Sequence, residues 1–119
     1  MTWIAIGALY CALAVLAGAF GAHGLKARLD PGALAQWETA ARYLMYGGFG
    51  LLVIGLAAPR LESSVNGPAA SLAVGTLIFA GTVFALALGS PRWFGAITPL
   101  GGLGMIAAFA WLALLAWRG

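Results

Sequence analysis

The sequence predicts an all-α protein, a four-transmembrane-helix bundle with a short amphipathic interfacial segment between the first and second helices. Three observations carry that prediction. Of the 119 residues, 63% are hydrophobic, and the mean hydropathy is +0.99, whereas soluble domains hold about 45–50% apolar residues. A soluble fold this small leaves too much surface in water to hide so many apolar side chains. The second observation is the spacing of charge. No Lys, Arg, Asp or Glu occurs in Met1–Leu25, Tyr43–Pro59, Ser63–Pro91 or Trp93–Trp117. A helix crosses the hydrocarbon core with about 20 predominantly apolar residues, so each run supplies one span and none supplies two. Third, the segments joining these runs are rich in proline and turn-forming residues. One integral membrane domain accounts for residues 1–119.

The first helix is expected over 3–23. Gly7, Cys11, Ala14, Gly18 and Gly21 recur at spacings of four and three, which places small side chains on one stripe. In lipid, helices associate by close packing and interhelical hydrogen bonds, so the stripe reads as a helix–helix seam. The run lacks a basic leader and is longer than a signal-peptide core, so it is expected to stay as a span.

The second helix is expected over 31–58. Asp30-Pro31 marks its start, because Asp is a favoured N-cap and proline suits the first helical position. It begins outside the hydrocarbon as an amphipathic stretch and enters near Tyr43. Glu38 and Arg42 stand four apart in the favourable order for a pair on one face. Trp37, Tyr43 and Tyr46 suit the headgroup belt. Gly47, Gly48 and Gly50 permit close approach inside a membrane bundle.

Pro59–Pro68 is the next connection. The third helix follows over 68–88, with Ala73, Thr76, Ala80 and Ala87 on a small-residue face and Gly75 and Gly81 as further packing positions. Gly89-Ser90-Pro91 ends it, and Arg92-Trp93 marks an interface. Thr98-Pro99 reads as a second cap-plus-proline start, opening the fourth helix over 98–117 with Gly101 and Gly104 for packing. Trp3 and Trp117 fall on one side and Trp37 and Trp93 on the other, as a double aromatic belt does.

An even number of crossings places both termini on one side and the first and third connections on the other. His23, Lys26, Arg28, Asp30, Glu38, Arg42, Arg92 and Thr98 therefore share one membrane face. Gly18–Tyr43 alone holds the single histidine and five of the nine charged residues. Lys26, Arg28, Arg42 and Arg92 on this face, against Arg60 and Arg118 opposite, point it toward the cytoplasm.

"GAFGAH" at Gly18–His23 resembles the YgdD-like family of small integral membrane proteins, the domain of unknown function 423, to which transmembrane protein 256 is also related. The resemblance continues through Trp37-Glu-Thr-Ala, Arg42-Tyr43, "GTLIFAG" at Gly75–Gly81, Leu86–Leu88 and "ITPLGG" at Ile97–Gly102. It implies a four-helix, membrane-embedded protein of uncharacterised activity. Relatives often carry Gln near the position of Leu44 and His near that of Gly47, and both polar groups are gone here.

The chemistry on offer is sparse. Six scattered basic residues do not form the clustered patch that nucleic acid requires. Cys11 is alone, so no internal disulfide or cysteine metal cluster is possible. With no HExxH and no second histidine, no metal site is expected, nor any cofactor. Gly102–Ala107 spells GxGxxA, but no strand precedes it and it lies inside a span, so it is not a dinucleotide motif. No nucleophile arrangement stands out, and no catalytic residue is assigned. The candidate interfacial polar cluster is His23, Lys26, Glu38, Arg42 and Thr98. Histidine is the one side-chain type whose ordinary charge change falls near neutrality, and His23 suits either a helix-end cap or proton transfer with Glu38. Glu38–Arg42 suits an anchoring pair better than a catalytic one.

The expected function is that of a small multi-pass membrane protein, not an enzyme. It is expected to act by packing and oligomerisation or as an accessory subunit. The alternative is a small transporter, channel or lipid-binding protein using His23, Glu38 and Arg42. Membrane lipids, further copies of the chain or other membrane subunits are the expected partners, in the bacterial plasma membrane.

Overall fold

A computed structural model describes residues 1–118. Its long elements are α1 (Thr2–Phe20), extended by a π-helical turn (Gly21–Leu25), α2 (Pro31–Ala57), α3 (Asn66–Ala87) and α4 (Phe94–Arg118). All four are long and apolar enough to cross a membrane, and no strand occurs among the described residues. α2 has 27 residues, roughly 40 Å at ~1.5 Å per residue, against a hydrocarbon core of ~30 Å. Its first turns therefore project into the interface, and the amphipathic stretch is continuous with the span.

Local chemistry explains most boundaries. Asp30 is the N-cap of α2, its Oδ1 accepting from Ala33 N at 2.8 Å, with Pro31 in the first turn. The α3–α4 turn is set by Gly89, whose φ of 97° suits glycine alone among common residues. Two starts lie two or more residues earlier than the sequence suggests. α3 begins at Asn66, placing Pro68 at the third position of the helix. Proline is tolerated there because the first four N–H groups of a helix lack partners in any case.

Thr98 does not cap α4. Successive bonds from Phe94 N to Pro91 O, Gly95 N to Arg92 O and Ala96 N to Trp93 O wind the chain up from Pro91. The helix is under way by Phe94, and Pro99 sits inside it. The proline removes one backbone donor, and the Thr98 hydroxyl is 3.1 Å from Phe94 O.

α1 packs on α2, α2 on α3, and α3 on α4, whereas α1 and α4 do not meet. The molecule is a staggered row of helices measuring 49 × 27 × 19 Å. In their most apolar stretches 44% and 39% of α2 and α3 are buried, against 22% for α1 and 17% for α4. The inner pair is thus the core and the outer pair the flanks. Leu51, Ile54, Leu72, Met105 and Ala108 fill the half nearer the termini, while Ala14, Leu44 and Ala80 form a smaller cluster toward the other end. Trp3 Nε1 donates to Asn66 Oδ1 at 2.9 Å, which ties the starts of α1 and α3 at one end of the row.

Candidate functional site

The polar groups gather at one end, as the topology requires, without forming a joined cluster. Trp37 touches α1 and lies 4.5 Å from Phe84 between ring centroids, and Thr82 reaches Thr98, so the His23 and Thr98 regions share that end. His23, Lys26, Glu38 and Arg42 are exposed. No hydrogen bond or ion pair joins any two of the five candidate residues among the described residues. Glu38 and Arg42 share a helix face, yet their charged groups do not pair. Thr98 alone is half-buried, in a hydroxyl pair 2.6 Å from Thr82 Oγ1. Among the described residues no group of His, Cys, Asp and Glu is placed to hold a metal.

The small residues are better organised. A methyl on Gly7 would lie 2.7 Å from Gly48 O, and one on Gly48 would lie 2.7 Å from Cys11 Sγ. One on Gly75 would lie 2.8 Å from Gly101 O, and one on Gly101 would lie 2.4 Å from Phe79 N. These are seams where two backbones touch, which in lipid supplies the dispersion contact that holds helices together. Gly47 receives the side chain of Thr76, Gly50 faces Leu72 and Phe109, Gly104 faces Gly75, and Gly21 faces the Trp37 ring. Ala73, Thr76, Ala80 and Ala87 are all buried.

Gly18 and Gly81 require a correction. They were expected to pack, but nothing lies within 4 Å of a side chain built on either. Gly18 lies off the contact with α2, although Gly21 beyond it is covered by Trp37, and Gly81 is exposed.

Several contacts were not anticipated. Trp37 is a seam residue, its Nε1 donating to Ala17 O at 2.7 Å while its ring covers Gly21. A large ring inserted beside the helix accompanies the π-helical turn that begins at Gly21, in keeping with the usual causes of such irregularities. Tyr10 spans from α1 to α3, donating to Ala73 O at 2.8 Å. That carbonyl is one a helical threonine at 76 could otherwise use, and the buried Thr76 hydroxyl has no partner. Ser71 donates to Gly104 O at 2.8 Å. Gly55 and Gly67, absent from the expected packing set, accommodate Ile4 and Trp111. Only helix register places each glycine opposite its bulky partner, and composition does not reveal register.

The staggered row leaves two apolar clefts. The first lies between α1 and α3, with α2 as its floor, and encloses about 300 Å³. Leu13 and Ala17 face Leu77 and Gly81 across it, Tyr10 closes one end, and Trp37 with Phe84 closes the other. The second lies between α2 and α4 with α3 as its floor. It consists of depressions of about 520 and 340 Å³ that share Tyr46 and Phe109.

A chain of long, largely apolar helices, joined by short polar turns and cemented by glycine seams, is a small multi-pass integral membrane protein. The chain belongs to the DUF423 family of proteins of unknown function, whose family model matches residues 17–102. A UPF0382 membrane protein of Staphylococcus haemolyticus is 42% identical over 113 residues, covering 95% of this chain and 91% of the relative. One from Staphylococcus epidermidis is 44% identical with the same coverage. The UPF0382 membrane protein YwdK of Bacillus subtilis is 35% identical over 116 residues, covering 96% and 94%. No solved structure matches the chain. The spans and the bacterial relatives agree on a plasma-membrane protein.

Proposed function

We propose that the protein acts without catalysis, as a packing component that associates with a second copy of itself or with a subunit of a larger membrane assembly. The observation that supports this most is the pair Gly18 and Gly81. Most of the other expected packing glycines meet a neighbouring backbone or side chain, while these two face open space. Small residues left bare on lipid-facing helices are suited to a further helix, since close approach drives association there. The α1–α3 cleft, which Gly81 lines, is short and closed at both ends, a shape that receives single large side chains from a neighbour. The scarcity of reactive groups, one histidine and three carboxylates, supports a role that needs no acid–base pair.

The test is crosslinking followed by native mass measurement of protein extracted from its own membranes in mild detergent. The expected result is a species heavier than one chain, lost in a Gly18→Leu/Gly81→Leu double variant that keeps the wild-type melting temperature. A wild-type protein recovered only as a solitary chain overturns the reading.

A further inference from the structure

We propose that the α2–α4 cleft holds one acyl chain of an anionic phospholipid whose phosphate rests on Arg42. This goes beyond the packing role and uses the opposite face of the row, so it stands or falls separately.

The geometry starts from α2. Glu38, Arg42, Tyr46, Phe49 and Val53 are all exposed and follow one another at intervals of four, four, three and four residues. They form a single stripe along the helix. Its lower part, Tyr46, Phe49 and Val53, is one wall of the cleft, and Phe109 of α4 stands opposite. The stripe thus runs without interruption from an apolar trough up to a guanidinium. Phe79 and Met105 continue the trough under Tyr43 and Tyr46.

Length selects the occupant. Arg42 to Val53 spans roughly 16 Å at ~1.5 Å per residue, close to half of a hydrocarbon core of ~30 Å. A trough one leaflet deep matches a lipid chain, whereas a transmembrane helix of a partner would need the full thickness. Charge selects the headgroup. Arg42 is exposed and, among the described residues, has no carboxylate within ion-pair distance, Glu38 included. The guanidinium fork matches phosphate oxygens in a bidentate manner and is less strongly hydrated than an ammonium. Lys26, Arg28 and Arg92 lie at the same end and add to the attraction for an anionic surface.

The experiment uses the full chain in mild detergent, incubated with phosphatidylglycerol or phosphatidylcholine and weighed by native mass spectrometry. One phosphatidylglycerol per chain is expected to survive, at least fivefold more than phosphatidylcholine. Arg42→Gln, which breaks no side-chain hydrogen bond or ion pair among the described residues, is expected to abolish that preference, while Arg60→Gln at the opposite end retains it. Val53→Trp, which fills the foot of the trough and leaves Arg42 in place, is expected to lower retention of both lipids. A Phe49→Trp reporter in liposomes is expected to be quenched by phosphatidylglycerol brominated along its chain. Equal retention of the two lipids by the wild type, or an unchanged preference in Arg42→Gln, overturns the proposal. So does a Phe49→Trp reporter that brominated lipid cannot quench, since a second copy or another protein would then occupy the trough.

Discussion

The two hairpins, α1 with α2 and α3 with α4, solve the same problem with different polar fastenings. Each brings its backbones into contact at glycine, Gly7 against Gly48 in one and Gly75 against Gly101 in the other. The first is pinned near a single end by an indole, Trp37 to Ala17 O. The second is pinned at two depths by hydroxyls, Ser71 to Gly104 O and Thr82 to Thr98. Apolar surface cannot hold helices together where the solvent is itself apolar, so shape and a few hydrogen bonds must do it. Distributing the bonds along the axis resists sliding as well as splaying. A single bond at one end resists only splaying.

The comparison can be broken most directly at the glycines. Gly101→Ala places a methyl against Phe79 N and Gly75 O at 2.4 and 2.7 Å, both rigid backbone atoms. Overpacking typically costs about 1–3 kcal/mol, and this site is expected at or beyond the top of that range, read as loss of resistance to denaturing detergent. Gly7→Ala, whose closest contacts include the Leu51 side chain as well as Gly48 O and Leu52 N, is expected to cost less. If both variants unfold like the wild type, the seams are not where the hairpins are held.

A smaller effect should separate the fastenings. Trp37→Phe keeps most of the ring but loses the bond to Ala17 O, and a membrane hydrogen bond contributes about 0.6–2 kcal/mol. Faster amide exchange is expected around Gly21–Leu25, with α3 and α4 unchanged. Smallest of all, Thr98→Val removes one of two hydroxyl fastenings for about 0.6 kcal/mol. It should leave the melting temperature nearly intact while loosening the start of α4. Equal destabilisation by the two variants would contradict the idea that bonds at two depths share the work.

The sequence made the spans and some of their ends readable for a simple reason. A bilayer imposes a length and forbids charge, and both leave marks in one dimension. Asp30-Pro31 and Gly89 were legible because their chemistry is local, and Gly7, Gly47, Gly75 and Gly101 because small residues are scarce alternatives to bulk in a seam. Thr98-Pro99 misled because a threonine before proline looks like a cap wherever it falls, and only the turn wound up from Pro91 reveals that the helix has already begun. Trp37 misled in the same way, since an interfacial tryptophan reads as a headgroup anchor until Gly21 is found under its ring. Gly18 and Gly81 look like the seam glycines in one dimension, and only helix register shows that no neighbour lies over them.

Because α1 and α4 never touch, the hairpins meet mainly along α2 and α3, like two boards joined at one edge, with Tyr10 and Trp3 tying α1 to α3 on one face. The two faces of the row are therefore unequal. Splaying α1 from α3 must break two hydrogen bonds, whereas among the described residues no hydrogen bond spans α2 and α4, and that face yields first.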